Sequence, residues 1–131
     1  MLRNILLGSF VLLIAFSFIA FAHPPKSLDV NLDLSDKMLY VMAMHDVQDP
    51  TEHFIQKISI ELNGKKIIEQ TCSAQTDKEK QDLMFTIPEA KAGDKISAKV
   101  ECIRGGTKTT ETVVKSAPPP APVSTPPPSG K

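Results

Sequence analysis

The sequence predicts an all-β domain, an immunoglobulin-like antiparallel β-sandwich of about seven strands. Apolar residues alternate with polar ones along most of the chain, which is the period of a half-buried strand. Turn-forming residues interrupt this pattern at short intervals, and Asn63-Gly64 is the strongest hairpin signal among them. Residues 23–116 lack the three-to-four-residue spacing of an amphipathic helix. Many short strands with regular turns are typical of a sandwich.

The first four strands follow from the alternation. Leu28 to Leu34 forms the first strand, and a turn at 35–37 leads into the second, where Leu39, Val41 and Ala43 share one face. His45 falls on that same face, because side chains two residues apart point the same way. The third strand is predicted over 54–62, and after Asn63-Gly64 the chain returns over 65–71.

Three further strands complete the predicted set. A charged connection, 73–81, leads to a strand over 83–87 that Pro88 ends. A turn at 92–94 introduces Lys95 to Cys102, in which apolar residues again alternate. Gly105-Gly106 forms the last turn, and the Thr- and Val-rich stretch 107–114 is the final strand.

The first 22 residues have the pattern of a signal peptide. An uncharged apolar run from Ile5 to Ala22 follows Arg3 and ends in Ala20-Phe21-Ala22, the small-residue pattern that a signal peptidase recognises. Cleavage there would make His23 the first residue of a periplasmic or secreted protein. The alternative is an uncleaved N-terminal membrane anchor, because roughly 18 apolar residues can just span a bilayer.

The other end of the chain is rich in proline. Residues 117–131 hold seven of the eleven prolines, a composition that predicts a disordered, extended tail. Residues 23–116 are therefore predicted to be one small folded domain. Fifteen basic and fifteen acidic side chains balance in the whole chain, so no nucleic-acid partner is expected. After cleavage we expect no membrane contact either.

The candidate metal ligands are few. The chain has three histidines, His23, His45 and His53, and Cys102 stands at the end of a predicted strand. Imidazole nitrogen and thiolate sulfur together bind iron, copper or zinc.

The surroundings of these residues resemble a known family. Glu52-His53-Phe54-Ile55, with the Gly64-Lys65 that follows, resembles the Glu-His-Tyr-Ile and Gly-Lys stretch of the superoxide reductases, the iron-binding domain of desulfoferrodoxin and neelaredoxin. The family also has an opening His-x-Pro, a second histidine and a late cysteine. Here His23, His45 and Cys102 occur in that order, so the chain resembles a divergent member of the family. The resemblance implies that His45, His53 and Cys102 converge at one end of the sandwich.

The resemblance implies an immunoglobulin-like sandwich with a mononuclear non-haem iron. In the family, four imidazoles and one cysteine thiolate hold ferrous iron, superoxide is reduced to peroxide, and a protein donates the electron. His23, His45 and His53 match three imidazoles, and Cys102 matches the thiolate. Gly105 stands where the family has its last histidine. The α-amine that cleavage would free on His23 is our candidate for the missing nitrogen.

The sequence leaves a second function open. The domain could be a non-catalytic module that binds copper or iron, or one that has kept only the sandwich for interaction. Two cysteines in an exported domain commonly pair, and a Cys72–Cys102 disulfide would remove the thiolate. Whether the chain is an enzyme, in that case a superoxide reductase-like oxidoreductase, is therefore not decided by the sequence. The metal is also open, with iron expected and copper the alternative.

Overall fold

The structure is a computed structural model that describes residues 23–116. The predicted signal peptide, 1–22, and the predicted tail, 117–131, lie outside the described residues. Within 23–116 the chain forms seven strands, and this part contains no helix long and apolar enough to cross a membrane.

The seven strands form two antiparallel sheets. The three-stranded sheet has the order β1-β2-β5, and the four-stranded sheet has the order β4-β3-β6-β7. The strands are β1 Ser27–Asp33, β2 Met38–Met44, β3 Ile55–Leu62, β4 Lys65–Thr71, β5 Lys80–Thr86, β6 Lys95–Cys102 and β7 Thr107–Val113. The predicted all-β antiparallel sandwich is thus confirmed.

The position of β4 distinguishes this sandwich from a constant-type immunoglobulin domain. In that type the fourth strand lies in the sheet of the first, second and fifth strands. Here β4 pairs with β3, through the hairpin at Asn63-Gly64. Both hairpin residues have positive φ, 52° and 83°, as the predicted tight turn requires.

The core lies between the two sheets and consists of the residues that the alternation placed inside. The buried apolar side chains come mainly from the central strands β2, β3 and β6. They include Leu39, Val41, Ala43, Ile58, Ile60, Ile96, Ala98 and Val100. Burial of alternate residues fixes the register, because a one-residue slip would turn each apolar set toward solvent.

One strand begins earlier than predicted. β5 starts at Lys80, which pairs with Met44, instead of at Leu83. Gln81 pairs with Ala43 and is buried. The prediction missed these residues because a buried glutamine and a lysine interrupt the apolar pattern on which it relied. The extra pairs extend the β2–β5 ladder as far as the residue that precedes His45.

Replacement of a core residue should cost far more stability than replacement of an exposed one of similar size. Ile58 is 0% exposed and Val113 is 58% exposed. We expect Ile58→Ala to lower the free energy of unfolding by about 2 to 5 kcal/mol, because it removes buried methyl groups and leaves a cavity. Val113→Ala should change it by about 0.5 kcal/mol or less. Urea unfolding followed by circular dichroism measures both, and equal losses would contradict the described core.

Candidate metal centre

Four strand ends meet at one end of the sandwich. The start of β1 pairs with the end of β2, through Ser27 and Met44, and the start of β3 pairs with the end of β6. The short connection 45–54 joins the end of β2 to the start of β3, so both pairs lie at the same end. His23 precedes β1, His45 follows β2 and His53 precedes β3. The topology therefore brings the three histidines together.

His45 continues the buried face of β2. Its backbone N–H donates to the Glu79 carbonyl at 2.8 Å, which prolongs the pairing of β2 with the segment before β5. Because Ala43 is buried, the alternation places the His45 side chain inward, and it is 0% exposed. The inward orientation predicted from the sequence is confirmed.

His53 is placed by a turn that Asp49 stabilises. The Asp49 carboxylate accepts hydrogen bonds from the Thr51 hydroxyl at 2.6 Å and the Thr51 N–H at 2.8 Å. These bonds hold the pKa of Asp49 below its ordinary value. The His53 N–H donates to the Asp49 carbonyl at 2.9 Å, so the chain doubles back here. His53, which is buried, thereby returns toward His45.

A β-bulge follows His53. Ile55 pairs with Cys102 and Lys57 pairs with Glu101, so β3 has one residue more than β6 over this step. The bulge changes the phase of burial along β3: Ile55 lies inside before it and Ile58 after it. His53 and Ile55 can therefore be buried while Ile58 and Ile60 keep their inward orientation farther along the strand.

His23 is exposed and is held by the turn between β6 and β7. Its backbone nitrogen donates to the Gly105 carbonyl at 3.2 Å. Gly106 has a φ of +92°, and a Cβ there would lie 2.6 Å from the Pro24 nitrogen and 3.0 Å from the His23 carbonyl carbon. Contacts below 3.0 Å with backbone require the backbone to move. The absence of a side chain at Gly106 thus allows the His23 segment to lie against the turn.

The three imidazoles form a compact set. One ring nitrogen from each of His23, His45 and His53 lies within 4.8 Å of the others. His23 Nδ1 and His45 Nε2 are 3.2 Å apart. Two nitrogens bound to one ion at about 2.0 to 2.1 Å lie about 2.9 Å apart at a right angle and about 3.4 Å apart at a tetrahedral angle. The His23–His45 spacing falls between these values, so these two nitrogens are placed to share a transition-metal ion, and the His53 nitrogen lies within 4.8 Å of both.

Cys102 lies beside the third imidazole. Its Sγ is 3.1 Å from His53 Nε2, and the Arg104 N–H donates to the same sulfur at 3.4 Å. Nitrogen and sulfur ligands of one ion, at about 2.1 and 2.3 Å, are separated by about 3.1 Å at a right angle. The same contact serves as a hydrogen bond when no ion is bound. His45, His53 and Cys102 thus lie at the same end of the sandwich, but the set of side chains within 4.8 Å of one another comprises the three histidines, and the sharing of one ion with Cys102 stays a prediction.

A Cys72–Cys102 disulfide does not fit this fold. Cys72 follows β4 and its N–H bonds to Gln56 on one side of β3, whereas Cys102 pairs with Ile55 on the other side. Two strand spacings, roughly 9.5 Å, separate such positions, and a disulfide needs Cα atoms within about 7 Å. Both cysteines are free. The disulfide alternative was wrong because it assumed that the two strands face each other across the sandwich.

Electrostatics favour the neutral form of His53. Burial lowers the pKa of His53 below its ordinary value, and the positive charges of Arg104 and of the other two histidines act in the same direction. A metal ligand must be an unprotonated imidazole nitrogen. The environment of His53 therefore suits it to bind an ion near neutral pH.

Gln75 is a site residue that the sequence did not reveal. It is 6% exposed, and its Oε1 lies 2.7 Å from His45 Nδ1. Its amide nitrogen donates to the His45 carbonyl at 2.7 Å. Gln75 belongs to the connection that was predicted only as a charged loop, and neither spacing nor pattern singled it out.

Comparisons with known proteins leave the family unassigned. No family model matches the chain, and no curated protein matches it. Among solved structures, a superoxide reductase (neelaredoxin) from Ignicoccus hospitalis aligns with a TM-score of 0.42 at 17% identity, over 72% of this chain and 82% of that chain. The resemblance to that family therefore remains one of sequence motifs.

Gly106→Ala should weaken metal binding more than Gly105→Ala. Both glycines have positive φ, so alanine strains the backbone at either position, but a Cβ at Gly105 meets nothing within 4 Å. The Gly106 variant must also displace the backbone of His23. We expect it to lose about 10- to 100-fold in Zn²⁺ affinity, the range found when groups that orient a ligand are removed. Calorimetric titration with Zn²⁺ measures both variants, and equal affinities would show that the turn does not position His23.

Proposed function

We propose that the chain is a mononuclear metal protein whose ion is held by His23, His45 and His53, with Cys102 as a thiolate ligand. One observation supports this most strongly: the three ring nitrogens lie within 4.8 Å of one another, and Cys102 Sγ lies 3.1 Å from His53 Nε2. Neutral imidazoles and a thiolate are the ligands that divalent iron, copper and zinc prefer.

We propose iron as the ion and superoxide as the substrate. The motif resemblance and the combination of imidazoles with one thiolate both support this choice. Ferrous iron held by the three histidines and Cys102 would supply the one electron that, together with two protons, converts superoxide to hydrogen peroxide. An electron-donor protein would then return the iron to the ferrous state.

The surrounding residues suit a small anionic substrate. His23 is exposed, so one side of the site lies at the protein surface and is open to solutes. Arg104 is exposed, and its positive charge contributes, after burial, to lowering the pKa of His53. The same charge would attract an anion such as superoxide. Buried His45 and His53 close the inner side of the site.

A non-catalytic metal carrier is the second candidate. One observation favours it: Gly105 stands in place of the family's last histidine. Its carbonyl accepts a hydrogen bond from the His23 backbone nitrogen. The site therefore has one imidazole fewer than the family. Three imidazoles also suit copper, which remains the alternative ion. The role of the His23 α-amine as a further ligand stays a prediction.

We also propose that the protein works outside the cytoplasm, in the periplasm or after secretion. The apolar run from Ile5 to Ala22 and its Ala20-Phe21-Ala22 ending support this location. Cleavage after Ala22 would leave His23 at the start of the mature chain, next to the other candidate ligands.

Iron binding should depend on His53, and the visible spectrum should depend on Cys102. We expect the wild type to take up one iron per chain and, when oxidised, to show a thiolate-to-iron charge-transfer band. His53→Ala should reduce iron affinity at least tenfold, because it removes a ligand. Cys102→Ser should lose the band, and Cys72→Ser, the matched control, should keep both iron and band.

Metal analysis, visible absorption and superoxide consumption by pulse radiolysis distinguish the candidates. Superoxide consumption by the iron-loaded wild type supports the enzyme. Full loading without superoxide consumption would favour the carrier. Normal iron uptake by His53→Ala would show that the proposed site is wrong.

A further inference from the structure

We propose that Gln75 is a positioning residue that selects one tautomer of His45, with the proton on Nδ1 and the lone pair on Nε2. The selection itself is a property of the protein without metal. Its purpose, presentation of Nε2 to an ion, rests on the proposed function.

The orientation of the Gln75 amide is set by two carbonyl groups. The amide nitrogen lies 2.7 Å from the His45 oxygen and 3.0 Å from the Asp77 oxygen. Carbonyl oxygens only accept hydrogen bonds, so the NH₂ group, which only donates, must face them. The amide oxygen then necessarily faces the His45 ring. A flipped amide would place oxygen against two carbonyl oxygens and lose both bonds.

The amide orientation decides where the imidazole proton lies. Gln75 Oε1 is 2.7 Å from His45 Nδ1. Since an amide oxygen only accepts, Nδ1 must carry the proton, and a neutral imidazole has only one. Nε2 also lies 3.3 Å from the His23 carbonyl oxygen, but the Gln75 contact is the shorter and the more buried of the two, so Nε2 is the unprotonated nitrogen. It lies 3.2 Å from His23 Nδ1, inside the set of ring nitrogens that could share an ion.

Burial strengthens the preference for the Nδ1–H tautomer of His45. His45 is 0% and Gln75 6% exposed, so water cannot readily replace the bond between them. The other tautomer would leave two acceptors facing each other inside the protein. The Gln75 backbone N–H also donates to the Pro50 carbonyl at 2.9 Å, within the connection that carries His53. One residue thus ties the His45 ring to the segment that positions a second candidate ligand.

Gln81 provides a matched control. It is also 6% exposed, and its amide nitrogen contacts the Thr76 hydroxyl and the Asp82 carbonyl instead of a histidine. Loss of either glutamine removes side-chain hydrogen bonds of a buried residue. Only the loss of Gln75 should change the tautomer of the His45 imidazole.

The test is ¹⁵N NMR of the histidine rings in the full, metal-free chain. In the wild type we expect a protonated Nδ1 and an unprotonated Nε2 for His45. Gln75→Leu should produce a mixture of tautomers or the Nε2–H form, whereas Gln81→Leu should retain Nδ1–H. A wild-type His45 protonated on Nε2 overturns the proposal even if no variant folds. An unchanged tautomer in folded Gln75→Leu also overturns it.

Zn²⁺ affinity, measured on the same proteins, links the tautomer to the site. We expect Gln75→Leu to bind Zn²⁺ about 10- to 100-fold more weakly than the wild type, with Gln81→Leu unchanged. If both leucine variants lost the same Zn²⁺ affinity, Gln75 would contribute only to stability, and its positioning role would be overturned. If the wild type does not bind Zn²⁺ while its His45 carries the proton on Nδ1, the proposed function fails and the tautomer assignment is supported.

Discussion

Two strand registers set the end of the sandwich at which the candidate ligands lie. Ser27 opposite Met44 sets the end of the first sheet, and Ile55 opposite Cys102 sets the end of the second. Because side chains alternate, a slip of one residue in β2 would turn His45 from the interior to solvent. The apolar residues of β2, β3 and β6 oppose such a slip. The hydrophobic core therefore stabilises the fold and also holds His45 inside.

Burial of imidazoles is costly unless their nitrogens are satisfied. The protein meets this cost with specific partners: Gln75 binds His45 Nδ1, and Cys102 lies beside His53 Nε2. His23 is the least enclosed member, and its position depends on backbone contacts with Gly105 and Gly106. Two of the candidate ligands are thus buried, and the third is held at a surface turn. An ion shared by the three would join the first strand to the rest of the site.

Much of this arrangement could be predicted from the sequence, for identifiable physical reasons. The period-two pattern placed His45 inside, and Asn63-Gly64 located a hairpin because few other dipeptides tolerate its φ values. The order of the histidine and cysteine motifs, which resembles that of the superoxide reductases, predicted the candidate ligands. The pairing of β4 with β3 could not be predicted, because alternation gives the faces of a strand and not its neighbour, and this led to the wrong disulfide alternative. Gln75 and Gly106 act through contacts between segments distant in sequence, which local patterns do not contain.

The ligand set is the central claim, and the X-ray absorption spectrum of the iron-loaded protein tests it most directly. We expect imidazole nitrogens at about 2.1 Å, with their outer-shell scattering, and one sulfur at about 2.3 Å, values typical of such ligands on a divalent metal. Cys102→Ser should remove the sulfur while the imidazole scattering remains. A first shell of oxygen atoms, with neither imidazole scattering nor sulfur, would contradict the claim that these histidines and Cys102 hold one ion.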